Sequence, residues 1–198
     1  MGSGAYDQRV LAGEELYADG LDDSIEQSAI YSSILFESAG QELPAIVLTP
    51  ACDILHAQTE LVLTVAGIFP ASHIFERFLQ KNKLTLGQII GRDVTRRKTY
   101  RGVTDTFKKQ YLANRVLMYH FLPRYEDKLQ DSFIDFSIVR TLSAQELLRR
   151  SKIAVLKSPW REAVPSRYAA YSLRIGVREY DDNLLEVVVN DMSTVRVE

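Results

Sequence analysis

The sequence predicts a mixed α and β chain: a small antiparallel barrel carrying a helical insertion and C-terminal helices. Strand-like runs of β-branched and aromatic residues come at irregular spacing, which does not suit repeated βαβ units. Helical periodicity is confined to the middle of the chain and its C-terminal part. With 198 residues, 46% hydrophobic and 25% charged, there is enough apolar material for one core without metal or disulfide support. The expected organisation is a single domain over 1–198, with residues 70–112 as a helical, basic insertion within it.

Residues 13–17 read as a short first strand, followed by an acidic loop containing Asp19, Asp22 and Asp23. Ile30, Tyr31, Ile34 and Phe36 favour a strand over 28–37. The apolar run 45–49, between Pro44 and Pro50, and the run 61–66 read as two buried strands joined by a connection long enough to form a site. Ser72 is a candidate N-cap for a helix with Ile74, Phe75, Phe78 and Leu79 on one face. Thr85 is a candidate cap for a second helix through Leu86, Ile89, Ile90 and Val94. Gly102 is expected to end it before a further turn at Phe107 and Tyr111. Residues 115–122 read as a strand. Residues 133–139 alternate, which predicts a half-buried strand. Ser143 with Glu146 has capping-box spacing for a helix over 144–150. A short strand at 153–156 precedes a last helix opened by Pro159 and kinked by Pro165, and 184–189 reads as one more strand.

The formal charge of −2 hides a segregation. Residues 1–60 hold eleven acidic residues against Arg9, while 81–115 hold ten basic residues against Asp93 and Asp105. Either the two blocks face each other, or each faces a partner of opposite sign. Arg92, Arg96, Arg97, Lys98, Arg101, Lys108 and Lys109 fall within 18 residues, with Tyr100, Phe107 and Tyr111 interleaved. Cations neutralise phosphates and rings stack on unpaired bases, so this is a candidate nucleic-acid or anion-binding segment. An irregular helix-turn-helix over 84–110 is a weaker version, lacking a clean recognition helix. The competing reading docks the same cations on acidic protein surface.

Thr49, Cys52 and Asp53 are the candidate catalytic residues, because a proline after a buried strand places them on a site-forming loop. Cys52 as nucleophile would need a histidine such as His56, with Asp53 orienting it. The plainer expectation is a small buried Cys52 and an Asp53 that caps a turn. The single cysteine and the scattered His56, His73 and His120 show no metal-ligand spacing, so neither metal nor cofactor is expected. Arg167, Tyr171 and Arg174 share a helix face that could bind anions or pack on the barrel. No run is long enough to span a bilayer and no secretory leader is visible, so a cytoplasmic protein without a membrane partner is expected.

Residues 13–17 (Gly-Glu-Glu-Leu-Tyr), 43–49 (Leu-Pro-Ala-Ile-Val-Leu-Thr) and 61–66 (Leu-Val-Leu-Thr-Val-Ala) resemble, in order, the G-D-I-Y, R-P-V-V-V-I-S and V-I-V-A-P-I segments of MazF/PemK-type toxins. That resemblance covers about 55 residues. It implies a compact SH3-like barrel, usually dimeric, that cleaves single-stranded RNA. Leu43 stands where the family has its cleavage arginine, whereas Thr49 keeps the hydroxyl. Residues 116–176 also resemble an uncharacterised bacterial group associated with mobile elements and antiphage defence. Two functions follow as expectations. One is a non-catalytic module of a toxin or antiviral-defence system, binding a protein partner or, through the basic segment, RNA or DNA. The alternative is an endoribonuclease using Thr49 and an arginine supplied from elsewhere, such as Arg92 or Arg101.

Overall fold

The computed structural model describes residues 15–19, 24–56, 61–85 and 94–173, with residues 94–100 described by backbone alone. Seven strands form one curled antiparallel half-barrel in the order β1-β7-β2-β3-β4-β6-β5. They are β1 (Tyr17–Ala18), β2 (Ala29–Phe36), β3 (Gln41–Val47), β4 (Val62–Pro70), β5 (Tyr119–Leu122), β6 (Ser132–Ser143) and β7 (Lys152–Leu156). The described helices are α1 (Ala51–His56), α2 (Ala71–Lys81), α3 (Val94–Phe107, continued by a π-turn Lys108–Leu112), α4 (Ala144–Leu148) and α5 (Trp160–Ser172). No helix among the described residues is long and apolar enough to cross a membrane.

Alternation along the strands fills both faces of the sheet. Tyr31, Ile34, Phe36, Leu43, Val65, Phe69 and Phe133 form a first core under Ile74, Phe78 and Leu79 of α2 and Phe107 of α3. Ile30, Ile46, Ile68, Ile134, Phe136 and Leu156 form a second core against Val164 of α5. The curl is visible in single contacts. Arg140 of β6 donates to the Leu35 carbonyl of β2 (2.7 Å), although β3 and β4 lie between those strands. Gly67 permits that approach, since a Cβ there would stand 3.2 Å from both Ile138 and Leu43. The sheet's two edges are also tied. Tyr17 of β1 donates to the Pro123 carbonyl just past β5 (2.8 Å), and the Asp19 carboxylate accepts from Tyr125 and from Lys128.

Several sequence expectations are corrected here. The strand expected at 13–17 is confined to Tyr17–Ala18, with Glu15 and Leu16 helical. The strand expected at 115–122 begins only at Tyr119. Ser72 does not cap α2, whose N-cap is Pro70. Gly102 does not end α3, which runs on through Phe107. A mid-helix glycine costs about 1 kcal/mol, less than the burial of Val103 and Phe107 on the first core returns. The alternation of 133–139 does not hold either. Register jumps from Ala66↔Val139 to Gly67↔Asp135, a bulge that flips face parity. Ile138 therefore joins the first core while Ile134 and Phe136 stay in the second. Ser143 does cap α4, accepting from the Glu146 amide (3.1 Å). The first part of the Thr85-capped helix, 86–93, and the strand at 184–189 lie outside the described residues, while Val94 onward is helical as expected.

Pro165 lies within α5 and has a specific use there. It has no N–H for the carbonyl four residues back, so the Arg161 oxygen is released from the helix. That oxygen accepts instead from Gln27 Nε2 (2.9 Å) and Ser28 Oγ (2.8 Å), which fastens α5 to the start of β2. Gln27 Oε1 meanwhile accepts from the Ala51 amide at the head of α1 (2.8 Å). Gln27→Ala is expected to lower stability by about 1 kcal/mol. Gln27→Ala with Ser28→Ala should cost more than the sum of the two, because the carbonyl is then left unpaired. Urea titrations of the three variants measure the non-additivity.

Candidate nucleic-acid interface

The three candidate residues after β3 fall in different settings. Thr49 is 9% exposed and its hydroxyl oxygen accepts from the Thr64 amide (2.8 Å), so it holds β4 beside β3. Cys52 is exposed on α1, contrary to the expectation of a small buried thiol. Its Sγ approaches Asp53 Oδ1 at 3.4 Å, and His56 lies exposed at the other end of the same helix. Among the described residues no group of three metal-ligating side chains forms. A cleft of about 280 Å³ lies between Ile25, Gln27, Ile54, Leu55 and Arg161. Leu43 is buried in the first core.

The basic segment is better defined. Arg101 on α3 and Lys108 and Lys109 on the π-turn are all exposed, as are Lys81, Lys83 and Arg115. Arg92 lies outside the described residues, as do the side chains of Arg96, Arg97, Lys98 and Tyr100. The acidic residues near β1 and β2 have other partners: Asp19 pairs with Lys128 (2.8 Å) and Glu26 with Lys152 (3.5 Å). The hydrogen bonds from Lys128 and Tyr125 hold the Asp19 carboxyl below its usual range. Burial and the bond to Asp19 push the Tyr125 phenol up to about 12. Among the described residues, Arg101, Lys108 and Lys109 make no ion pair with that acidic surface.

The interleaved aromatics turn out differently from the expectation of free stacking platforms. Phe107 is buried against Phe75 (4.9 Å), Phe78 (5.4 Å) and Phe133 (5.9 Å). Tyr111 stacks on Phe107 (4.9 Å) on one side and on Tyr119 (5.6 Å) on the other. Burial raises both tyrosine pKa values, and Asp135 adds to the rise at Tyr119. These rings fasten the cationic helix to the sheet rather than waiting for bases.

Two further polar groups are not visible in sequence motifs. Asp135 on β6 is 1% exposed and is met by Arg77 of α2 (3.2 Å) and by the amide (3.0 Å) and hydroxyl (2.6 Å) of Ser137. Asp135 lies in a strand expected to be only half-buried, and α2 covers its face. Its one available signal was Phe133, which is apolar and two positions away. On the second core, His120 is 5% exposed with an unpartnered Nδ1, near Arg167 of α5. Burial, then the Arg167 charge, pushes its pKa down to about 4. Arg167 itself donates to the Val116 (3.3 Å) and Tyr119 (3.0 Å) carbonyls, so on the stripe of Arg167, Tyr171 and Arg174 it packs α5 on the barrel. Arg174 lies outside the described residues. Compared with protein-family models and with characterised proteins, the chain matches none.

Proposed function

We propose that this chain is a non-catalytic nucleic-acid-binding module built on a MazF/PemK-like barrel, acting within a bacterial toxin or antiphage-defence system. The observation that carries it is the exposure of Arg101 on α3 and of Lys108 and Lys109 on its π-turn, which among the described residues make no ion pair with the acidic surface near β1 and β2. Lys and Arg displace condensed counterions from a phosphate backbone, which gives salt-sensitive and largely sequence-independent binding. Because Phe107 and Tyr111 are engaged by other rings, recognition rests on phosphates rather than on stacked bases. The absence of cleavage in this reading is supported by Leu43 in the core and by Thr49 bonded to β4.

Fluorescence anisotropy with a labelled mixed-sequence RNA tests it. Each phosphate contact contributes about −0.7 to the slope of log K against log salt for a single strand. Replacing Arg101, Lys108 and Lys109 by alanine should therefore make the slope shallower by about 2. A flat salt dependence in the unaltered protein would overturn the proposal. Shortened RNA on a denaturing gel would replace it with the endoribonuclease reading.

A further inference from the structure

Most exposed arginines sample many rotamers, and a ligand must freeze them. Arg77 is held in place without one. Its Nη1 lies 3.2 Å from Asp135 Oδ2, and its guanidinium carbon stands 5.0 Å from the centroid of the Phe69 ring. The carboxylate is fixed in turn, because Oδ1 takes the amide and the hydroxyl of Ser137. Tyr119, opposite Asp135 in the β5–β6 register, borders the same guanidinium. The Arg77 side chain nevertheless remains 44% exposed while Asp135 is 1% exposed. The guanidinium is held by a buried carboxylate, by the Tyr119 side chain and by the Phe69 ring, while the side chain as a whole stays partly open to solvent.

Position adds to this. Tyr119 stacks on Tyr111, two residues beyond the exposed Lys109, and Phe78, next to Arg77 in sequence, packs on Phe107. Arg77 is thus linked through Tyr119 and Tyr111, and through Phe78 and Phe107, to the π-turn that carries Lys108 and Lys109. Compensation of the buried Asp135 alone would need one donor directed inward. A half-exposed guanidinium already held over a ring and by a fixed carboxylate can donate to phosphate oxygens at low entropic cost. We infer that Arg77, oriented by Asp135 and Phe69, is the preorganised phosphate contact of the interface on α3, an inference that rests on the nucleic-acid reading above.

Two variants test it in the same anisotropy assay. Arg77→Met with Asp135→Asn removes both charges while leaving Ser137 an acceptor, and it should fold, as judged by circular dichroism. It should bind RNA roughly 5- to 10-fold more weakly, with a salt slope shallower by about one. Arg77→Lys keeps the charge but not the fork, and should bind several-fold more weakly with the slope unchanged. Wild-type binding and slope in both variants, alongside weakened binding by the Arg101/Lys108/Lys109 alanine variant, would overturn the role of Arg77 and leave the interface standing. Undiminished binding by all three would overturn both.

Discussion

Phe107→Ala is expected to cost about 3–4 kcal/mol, the range for emptying a buried aromatic site whose walls cannot collapse. The side chain fills a pocket between Phe75 and Phe78 of α2, Tyr111 of the π-turn and Phe133 of β6. All four belong to other rigid contacts, so the cavity persists. For a chain of this length each kcal/mol moves the thermal midpoint by about 2–4 °C, which places the expected drop near 10 °C. The consequence reaches function without any change in charge. Phe107 is the anchor by which α3 lies on the sheet, so its loss should weaken RNA binding even at temperatures where the barrel stays folded. Phe107→Leu, which refills most of the volume, should cost about 1–2 kcal/mol and retain binding. Urea denaturation followed by circular dichroism, with anisotropy at 10 °C, reads both effects. A cost below about 1 kcal/mol for the alanine variant would mean that α3 is not held by this cluster.

Acid should loosen the molecule through His120. Burial, and then the Arg167 charge, push the folded-state pKa down to about 4 from the ordinary 6.5. The unfolded chain therefore takes up the proton first. Stability from this residue is complete above pH 6.5, falls as pH drops from 6.5 toward 4, and levels off below that. The full swing is about 3 kcal/mol. Its physical origin is an imidazolium placed beside the Arg167 guanidinium in a site that water does not reach. His120→Leu should abolish this slope and leave stability at pH 7 equal or higher, since it also removes an unpartnered buried nitrogen. Arg167→Met should shrink the swing by removing the repelling charge. The difference in unfolding free energy between wild type and His120→Leu, taken at each pH, isolates the residue from the carboxylates. A difference that stays constant between pH 7 and 4 would contradict the assignment.

Local chemistry was readable wherever a residue's role depends on its immediate neighbours. The β-branched and aromatic runs at Ala29–Phe36 and Lys152–Leu156 become strands, and Ser143 caps α4 because a hydroxyl three residues before an amide needs no tertiary help. The opposite charge of the two blocks was also legible from composition. What the charges touch was not, because Lys128 and Lys152 reach Asp19 and Glu26 only after strands far apart in the chain have paired.

The sequence by itself determined most of the element types, the mixed α and β class and the cationic character of the segment after β4, since propensity, capping and charge are properties of short stretches. Tertiary structure alone decided the strand order, the bulge that turns Ile138 inward, the continuation of α3 past Gly102 and the burial of Asp135 beneath Arg77. Each of these balances a small local cost, such as an extra strand residue, a helical glycine or a covered carboxylate, against burial or pairing supplied from elsewhere in the chain. Such terms exceed local preference only when distant residues have been brought together, so short stretches cannot show them.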